Sequence, residues 1–224
     1  MPIYLHSFLH LLFIGIIALF PVVNPVGSAF IINPYFANLS KDEKKRAVKK
    51  ITLYAFLICT VSLFAGHWIL ELFGLSIPVI QLAGGIMICK MGWEFLSSDK
   101  KPDETDTSGD EDDKTLNYIH IQDKLFYPIT FPVTTGAGTI SVLFTLSAHS
   151  TTTDITTYFI NTTAILLAII IMCVLIYIFY LNTKTIINYL GSNGEKIINR
   201  ITAFLIFCVG LQIAITGITT LVKG

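Results

Sequence analysis

Long apolar runs separated by short polar links dominate this chain. The second, third, fifth and sixth runs each have the ~20 residues that a membrane-crossing helix needs. The first and fourth runs are longer, and each contains Pro or Gly near its middle. The pattern predicts an all-α polytopic membrane protein with six transmembrane segments, of which the first and fourth are interrupted. We number the runs as segments one to six, at residues 4–37, 50–70, 77–96, 117–148, 156–181 and 199–221.

The two over-long segments carry similar helix-breaking motifs. FPVVNPVGS (Phe20–Ser28) and FPVTTGAGT (Phe131–Thr139) align position by position without a gap. Each motif opens a group of three segments, so the second group must enter the membrane from the opposite side. We therefore predict a 3+3 inverted-topology repeat, a construction found in many transporters. Its predicted units are a first repeat at 1–96, an acidic cytoplasmic linker at 97–116 and a second repeat at 117–224.

Composition and charge agree with a membrane protein and orient it. Hydrophobic residues make up 53% of the 224, and the mean hydropathy is +0.69, which is too apolar for a water-soluble domain of this size. Of the 15 Lys and Arg residues, all but Lys90 and Lys223 fall in the links after segments one, three and five or near the starts of the segments that follow these links. Because Lys and Arg collect on the cytoplasmic side, we predict cytoplasmic links and external termini. The expected location is the cell membrane, which is the inner membrane in a Gram-negative organism.

Pro and Gly inside an apolar helix disturb its backbone hydrogen bonding. Pro25 removes a donor and favours an extended backbone at Asn24. We expect each break to leave unpaired backbone groups, which persist in a membrane only against protein or water. The alternative is that Pro and Gly only kink or pack tilted helices. Two matched breaks favour a solute site near the membrane midplane, with these predicted substrate-binding residues: Asn24, Pro25, Gly27, Ser28, Gln81, Thr134, Thr135, Gly136, Gly138 and Thr139.

Ionisable residues inside the apolar segments are few. Lys90 and Glu94 lie four residues apart near the end of segment three, so they share a helical face and can pair. One interpretation is an anchor pair at the membrane interface. The other makes Glu94 a proton-coupling carboxylate, because ionisable groups inside membranes are functional candidates by default. The five histidines lie near segment ends, and although His6 and His10 share a face, no metal-like cluster is evident. No metal site or cofactor is predicted.

Two polar links carry local signals of their own. Ser40 followed by Glu43 predicts a capping box at the start of a short basic helix on the cytoplasmic surface. The stretch Ser97–Lys114 is acidic and has no apolar periodicity, so it is predicted to be a flexible linker. A calcium loop is disfavoured there, since its last ligand position would hold Thr115 instead of the required Glu.

Three stretches resemble the MarC family, which is also classified as six-span neutral amino acid transporters. They are LFPVVNPVGSAF (Leu19–Phe30), LFGLSIPVIQLAGGIMI (Leu72–Ile88) and YPITFPVTTGAGTISVLF (Tyr127–Phe144). The similarity covers essentially the whole chain and implies transport of small neutral amino acids such as alanine and glycine. Two departures bear on that implication. Many relatives have Gly-Pro-Gly where this chain has Gly-Ala-Gly at 136–138, and Arg where it has Gln81.

Taken together, the sequence predicts a secondary transporter of a small polar solute that works by alternating access and has no enzymatic activity. No nucleotide-binding motif is present in it, so a proton or other ion gradient, exchange or the solute's own gradient would drive transport. The lipid bilayer is an expected partner, nucleic acid is not, and a homo-oligomer is compatible with the sequence. The alternative is a non-transporting membrane scaffold or assembly protein, which would explain packing motifs but not paired helix breaks.

Overall fold

The computed structural model describes residues 2–36, 39–97, 121–150 and 154–223. Every regular element in these ranges is helical. The predicted acidic linker falls outside the described residues apart from Ser97, and so does the start of segment four. The elements in chain order are α1 (Pro2–Val23), α2 (Pro25–Ile32), a 3-10 turn (Asn33–Phe36), α3 (Lys41–Leu72), α4 (Ile77–Ser97), a kinked segment (Leu125–Thr134), α5 (Ala137–Ser150), α6 (Ile155–Leu181) and α7 (Thr183–Lys223).

Several of these helices are suited to a membrane. Among the described residues, four stretches are long and apolar enough to cross one: Leu5–Ile32, Lys41–Gly66, Ile155–Leu181 and Ala203–Val222. The α4 helix matches segment three but is less apolar, since Gln81, Lys90 and Glu94 interrupt its hydrophobic run. An all-helical fold with membrane-spanning helices is therefore confirmed. Six crossings and the inverted repeat remain predictions.

Packing is organised around α6. This helix contacts α1, α2 and α3, and its buried face includes Ile165, Ile169 and Ile176. Gly15 allows a close approach of α1, because a β-carbon there would lie 3.1 Å from the Ala168 β-carbon. On the outside of the bundle, large apolar side chains such as Ile17 are exposed, as expected for helices that face lipid.

Helix α3 begins where the sequence predicts it. The Ser40 backbone N–H donates to the Glu43 carboxylate at 2.9 Å, and the Glu43 N–H donates to Ser40 Oγ at 3.3 Å, so the capping box is confirmed. The helix then runs without a stop to Leu72. The basic stretch and segment two therefore form one helix, and the expectation of a separate short basic helix was wrong. The link after segment five is also helical, because it forms the first part of α7, a helix of 41 residues.

Helices α4 and α7 run antiparallel with their backbones in contact. A β-carbon on Gly85 would lie 2.5 Å from the backbone nitrogen of Ala214. In the same way, a β-carbon on Gly210 would lie 2.5 Å from the backbone nitrogen of Cys89. Real β-carbons do not come this close to backbone atoms, so glycine is required on both helices for this approach.

A second pair of glycines repeats this arrangement further along the same two helices. A β-carbon on Gly92 would lie 2.6 Å from the Phe207 nitrogen, and one on Gly217 would lie 2.8 Å from the Leu82 nitrogen. The alignment of α4 with α7 that matches Gly85 to Gly210 also matches Gly92 to Gly217. Under this alignment, each close contact made by a glycine of α4 has an equivalent contact made by a glycine of α7. The two helices are therefore related by a local two-fold axis that runs between them.

Candidate functional site

The first interruption is a single residue in the left-handed conformation. Asn24, between α1 and α2, has φ 46° and ψ 62°, so the expectation of an extended backbone before Pro25 was wrong. The reason is the Asn24 side chain, whose Oδ1 accepts a hydrogen bond from the Gly27 N–H at 3.0 Å and so caps α2. Asn is one of the few residues besides Gly that tolerate this conformation, and Pro25 suits the first position of a helix.

Hydrogen bonds pair the backbone of Asn24 on both sides. Its N–H donates to the Phe20 carbonyl at 2.9 Å. Its carbonyl accepts from the Ser28 N–H at 2.9 Å and from Ser28 Oγ at 2.6 Å. The unpaired backbone groups expected at this break are therefore not found at Asn24 itself. The left-handed residue at the first interruption is therefore held by local hydrogen bonds.

The second interruption is a kink with two extended residues instead of a single left-handed residue. Within Leu125–Thr134, Tyr127 (φ −122°, ψ 126°) and Phe131 (φ −114°, ψ 121°) have extended backbones, as residues before Pro favour. Hydrogen bonds between residues five apart span the kink. The Thr130 hydroxyl donates to the Leu125 carbonyl at 2.6 Å. The Thr130 carbonyl accepts both the N–H of Thr135, at 2.8 Å, and its hydroxyl, at 3.2 Å. Threonine hydroxyls thus stabilise a backbone that an ordinary α-helix would not form, and α5 starts two residues later.

Tyr180, near the C-terminal end of α6, joins the two interruptions. Its side chain is fully buried, and its hydroxyl lies 2.8 Å from Thr134 Oγ1. The Ser28 side chain interacts with the same hydroxyl. Because Thr134 Oγ1 already donates to the Ile129 carbonyl at 2.8 Å, the Tyr180 hydroxyl is the donor in its contact with Thr134. We call Ser28, Thr134 and Tyr180 the Tyr180 cluster.

Gly138 and Thr139 lie in the first turn of α5, where this helix packs against α4 and the end of α1. A β-carbon on Gly138 would lie 2.6 Å from Ile88 Cγ1 and 3.0 Å from Val22 Cγ1. Thr139 is fully buried, and its hydroxyl has no hydrogen-bond partner among the described residues. An unpaired buried hydroxyl costs roughly 1–3 kcal/mol. A ligand atom that hydrogen-bonded to Thr139 would recover part of that cost.

The Tyr180 cluster lies towards one end of α6 and is made of uncharged side chains. Lys44 of α3 donates to the carbonyl of Leu181, the residue after Tyr180, at 3.1 Å, and its Nζ lies 5.8 Å from the centre of the Phe36 ring. The cluster is therefore displaced from the middle of α6 towards the end that the basic N-terminal turn of α3 contacts. The sequence had favoured a position near the middle of the membrane.

Two predicted residues, Gln81 and Glu94, lie on α4 instead of at either interruption. Gln81 is buried on the face of α4 that packs against α7. A β-carbon added to Gly217 of α7 would lie 3.2 Å from the Gln81 β-carbon. Glu94 forms the predicted pair with Lys90 at 3.8 Å, and both side chains are largely exposed. That exposure is typical of an anchor pair on the outer surface of α4. Whether Glu94 couples transport to protons stays a prediction.

Sequence reasoning missed Tyr180 and the pairing of glycines between segments three and six. A single tyrosine at the end of an apolar helix carries no signal of its own, since its partners come from two distant segments. The glycines did offer a signal, because Gly85 and Gly92 have the same spacing as Gly210 and Gly217. Equal glycine spacing in segments three and six would have supported the predicted repeat.

These features define a class of protein: an all-helical membrane protein whose two interrupted helices meet at a buried, uncharged polar cluster. The chain matches the model of the MarC family, described as integral membrane proteins, over residues 9–222. Because the match covers nearly the whole chain, this chain belongs to the MarC family. The resemblance seen in its sequence is thereby confirmed.

Curated relatives align with the chain over most of its length. The UPF0056 inner membrane protein MarC of Escherichia coli O1:K1 / APEC is 28% identical over 217 residues, which cover 94% of this chain and 95% of the relative. The protein of the same name from Escherichia coli strain ATCC 8739 is 27% identical over 216 residues, with the same coverage. Their names assign them to the inner membrane and give no substrate. No solved structure matches this chain.

Proposed function

We propose that this chain is a secondary membrane transporter of a small polar solute, in the class of neutral amino acids such as alanine and glycine. The observation that carries this proposal is the buried Tyr180 cluster, in which side chains from both interruptions meet. Interrupted helices with polar groups at the break are how many transporters bind their solutes. The cluster is uncharged, which suits a solute without net charge.

The binding groups would come from both interruptions. Asn24, Pro25, Gly27 and Ser28 belong to the first, and Thr134, Thr135, Gly136, Gly138 and Thr139 to the second. The N-terminus of α5 carries partial positive charge, which favours a carboxylate nearby. The unpaired Thr139 hydroxyl in the same turn would donate to that carboxylate. Many relatives have Arg where this chain has the uncharged Gln81. The N-terminus of α5 would therefore contribute more to binding of the solute carboxylate in this chain.

Alternating access would come from two repeats that move against each other. We propose residues 1–96 and 117–224 as these repeats, with the acidic linker at 97–116 between them. The local two-fold axis between α4 and α7 supports this division, because segments three and six are counterparts in it. The proposed topology has six crossings, external termini and cytoplasmic basic links.

We propose that this chain lies in the inner membrane, as the names of the relatives state for them. Energy would come from an ion gradient or from solute exchange, with Glu94 as the candidate for proton coupling. We propose no enzymatic activity and no nucleic-acid partner. The exposed apolar surface is compatible with a homo-oligomer and with a monomer in lipid.

The test is uptake and counterflow of labelled alanine and glycine in proteoliposomes, with and without a pH gradient. The informative variant is Thr139→Val, which removes the unpaired hydroxyl and preserves the shape of the side chain. Thr162→Val is its matched control, because Thr162 of α6 is also buried with an unpaired hydroxyl but lies far from the cluster in α6. We expect saturable flux in the wild type and in the Thr162 variant, and at least about tenfold less in the Thr139 variant.

The outcomes separate the transporter from the scaffold alternative. Equal flux in both variants would remove the site from the proposal. Absence of flux for alanine and glycine in folded wild-type protein would reject neutral amino acids of this size. If a broader set of solutes also gave no flux, the scaffold alternative would replace the transporter.

A further inference from the structure

A cavity of about 320 Å³ lies at the end of α6 opposite to the Tyr180 cluster. Its wall is formed by the N-terminal parts of α1 and α6. The residues that line it are His6, Ser7, His10, Leu11, Thr157 and Asn161. None of these belongs to the proposed transport site, so the cavity requires an explanation of its own.

Two imidazoles form one side of this cavity. His6 and His10 are four residues apart on α1, which brings their side chains to the same helical face. Their ring centres are 6.2 Å apart and their planes differ by only 12°. Both side chains are exposed. Paired imidazoles at this spacing on a helix are a recurrent way to supply two nitrogen ligands to one zinc ion.

The α6 side of the cavity adds oxygen atoms and negative charge. Asn161 brings an amide, whose oxygen is an acceptable ligand for a divalent ion. Thr157 lies beside it and is held by Asp154, whose carboxylate accepts from the Thr157 N–H at 2.9 Å and from its hydroxyl at 2.5 Å. These hydrogen bonds lower the pKa of Asp154, so its carboxylate is anionic at neutral pH and makes the cavity edge more negative.

We propose that His6 and His10 form a binding site for a divalent transition-metal ion such as Zn²⁺, with Asn161 as a third ligand. Imidazole is a ligand that Zn²⁺, Cu²⁺ and Ni²⁺ share. In the described residues, no group of three or more His, Cys, Asp or Glu surrounds any point. The proposed coordination sphere would consist of the two imidazoles, the Asn161 amide oxygen and water. Such an open coordination sphere binds an ion reversibly from the solution outside the bundle.

The proposal is tested by equilibrium dialysis of the purified protein against micromolar Zn²⁺, with the metal content measured by mass spectrometry. The protein is purified through an affinity tag that contains no histidine. We expect one Zn²⁺ per wild-type chain. The His6→Gln and His10→Gln variants should each weaken binding by at least about tenfold, since even a supporting interaction to a ligand is worth that much.

The matched controls separate this site from nonspecific binding. His67→Gln removes a histidine from another helix and should leave Zn²⁺ binding unchanged. Asn161→Leu should weaken binding less than the loss of either imidazole. Circular dichroism and size-exclusion profiles establish that each variant is folded. Unchanged Zn²⁺ binding in the folded His6 and His10 variants would overturn the proposal, as would an equal loss in the His67 variant.

Discussion

The two interruptions occupy matching positions in the sequence but solve the same backbone problem differently. At the first, Asn24 adopts a left-handed conformation and caps the following helix with its own side chain. At the second, hydrogen bonds of Thr130 and Thr135 span a kink that contains extended residues, and the Thr139 hydroxyl is left unpaired. At the first, the backbone and side chain of Asn24 are hydrogen-bonded locally, whereas at the second the Thr139 hydroxyl has no partner among the described residues. Matching motifs therefore preserve the place of a break without preserving its geometry.

The largest expected effect distinguishes the two backbones directly. Asn24→Val loses the cap and places a β-branched residue in the left-handed region, so it should lower the free energy of unfolding by about 2–4 kcal/mol. The matched Thr135→Val keeps an allowed backbone and loses one hydroxyl hydrogen bond, at about 1 kcal/mol. Asn24→Gly retains the left-handed conformation and should cost only a few tenths. Chemical unfolding in detergent measures all three, and equal effects of the two valines would contradict the comparison.

The next effect concerns space at the second interruption. Gly138→Ala would place a β-carbon 2.6 Å from Ile88 Cγ1, and such overpacking costs about 1–3 kcal/mol. Ile88→Ala removes the atom that the new β-carbon would meet. The double variant should therefore be more stable than the sum of the two single effects predicts, by roughly 0.5–3 kcal/mol. Simple additivity in a double-mutant cycle would show that Gly138 and Ile88 are not in contact.

A smaller effect tests the link between the interruptions. Tyr180→Phe removes the hydroxyl that donates to Thr134 and should lower the free energy of unfolding by about 1 kcal/mol. Tyr189→Phe is the control, because Tyr189 is almost fully exposed. Solute flux in proteoliposomes should fall in the Tyr180 variant and remain normal in the control. Normal stability and normal flux in the Tyr180 variant would show that the Tyr180 hydroxyl contributes neither to folding nor to solute transport.

The smallest effect on stability is expected at the surface pair of α4. Lys90 and Glu94 are 3.8 Å apart and largely exposed, and exposed ion pairs contribute little to folding. Glu94→Gln should therefore leave the unfolding midpoint essentially unchanged. If flux in this variant no longer responds to a pH gradient, Glu94 is the coupling group. If the response persists, the pair is an interfacial anchor and coupling lies elsewhere.

The sequence could predict the features that depend on local chemistry. The capping box at Ser40 needs only residues three apart, and the positions of both helix breaks are visible from Pro and Gly. Asn24 was mispredicted because the restriction before Pro competes with the capping ability of Asn, and capping prevails. Tyr180 could not be predicted, since its partners come from two segments that are distant in the chain. The displacement of the cluster along α6 likewise depends on tertiary packing.

The central claim is that the two interruptions meet at one buried cluster, and cross-linking tests it most directly. Ser28→Cys and Thr134→Cys are introduced into a chain without its four native cysteines, with a protease site inserted in the acidic linker. Mercury or oxidation should then hold the cut halves together on a denaturing gel. The control pairs Ser28→Cys with Thr162→Cys, which lies roughly 27 Å from Tyr180 along α6. A cross-link in the first pair alone is the predicted result, and its absence in folded protein would contradict the account.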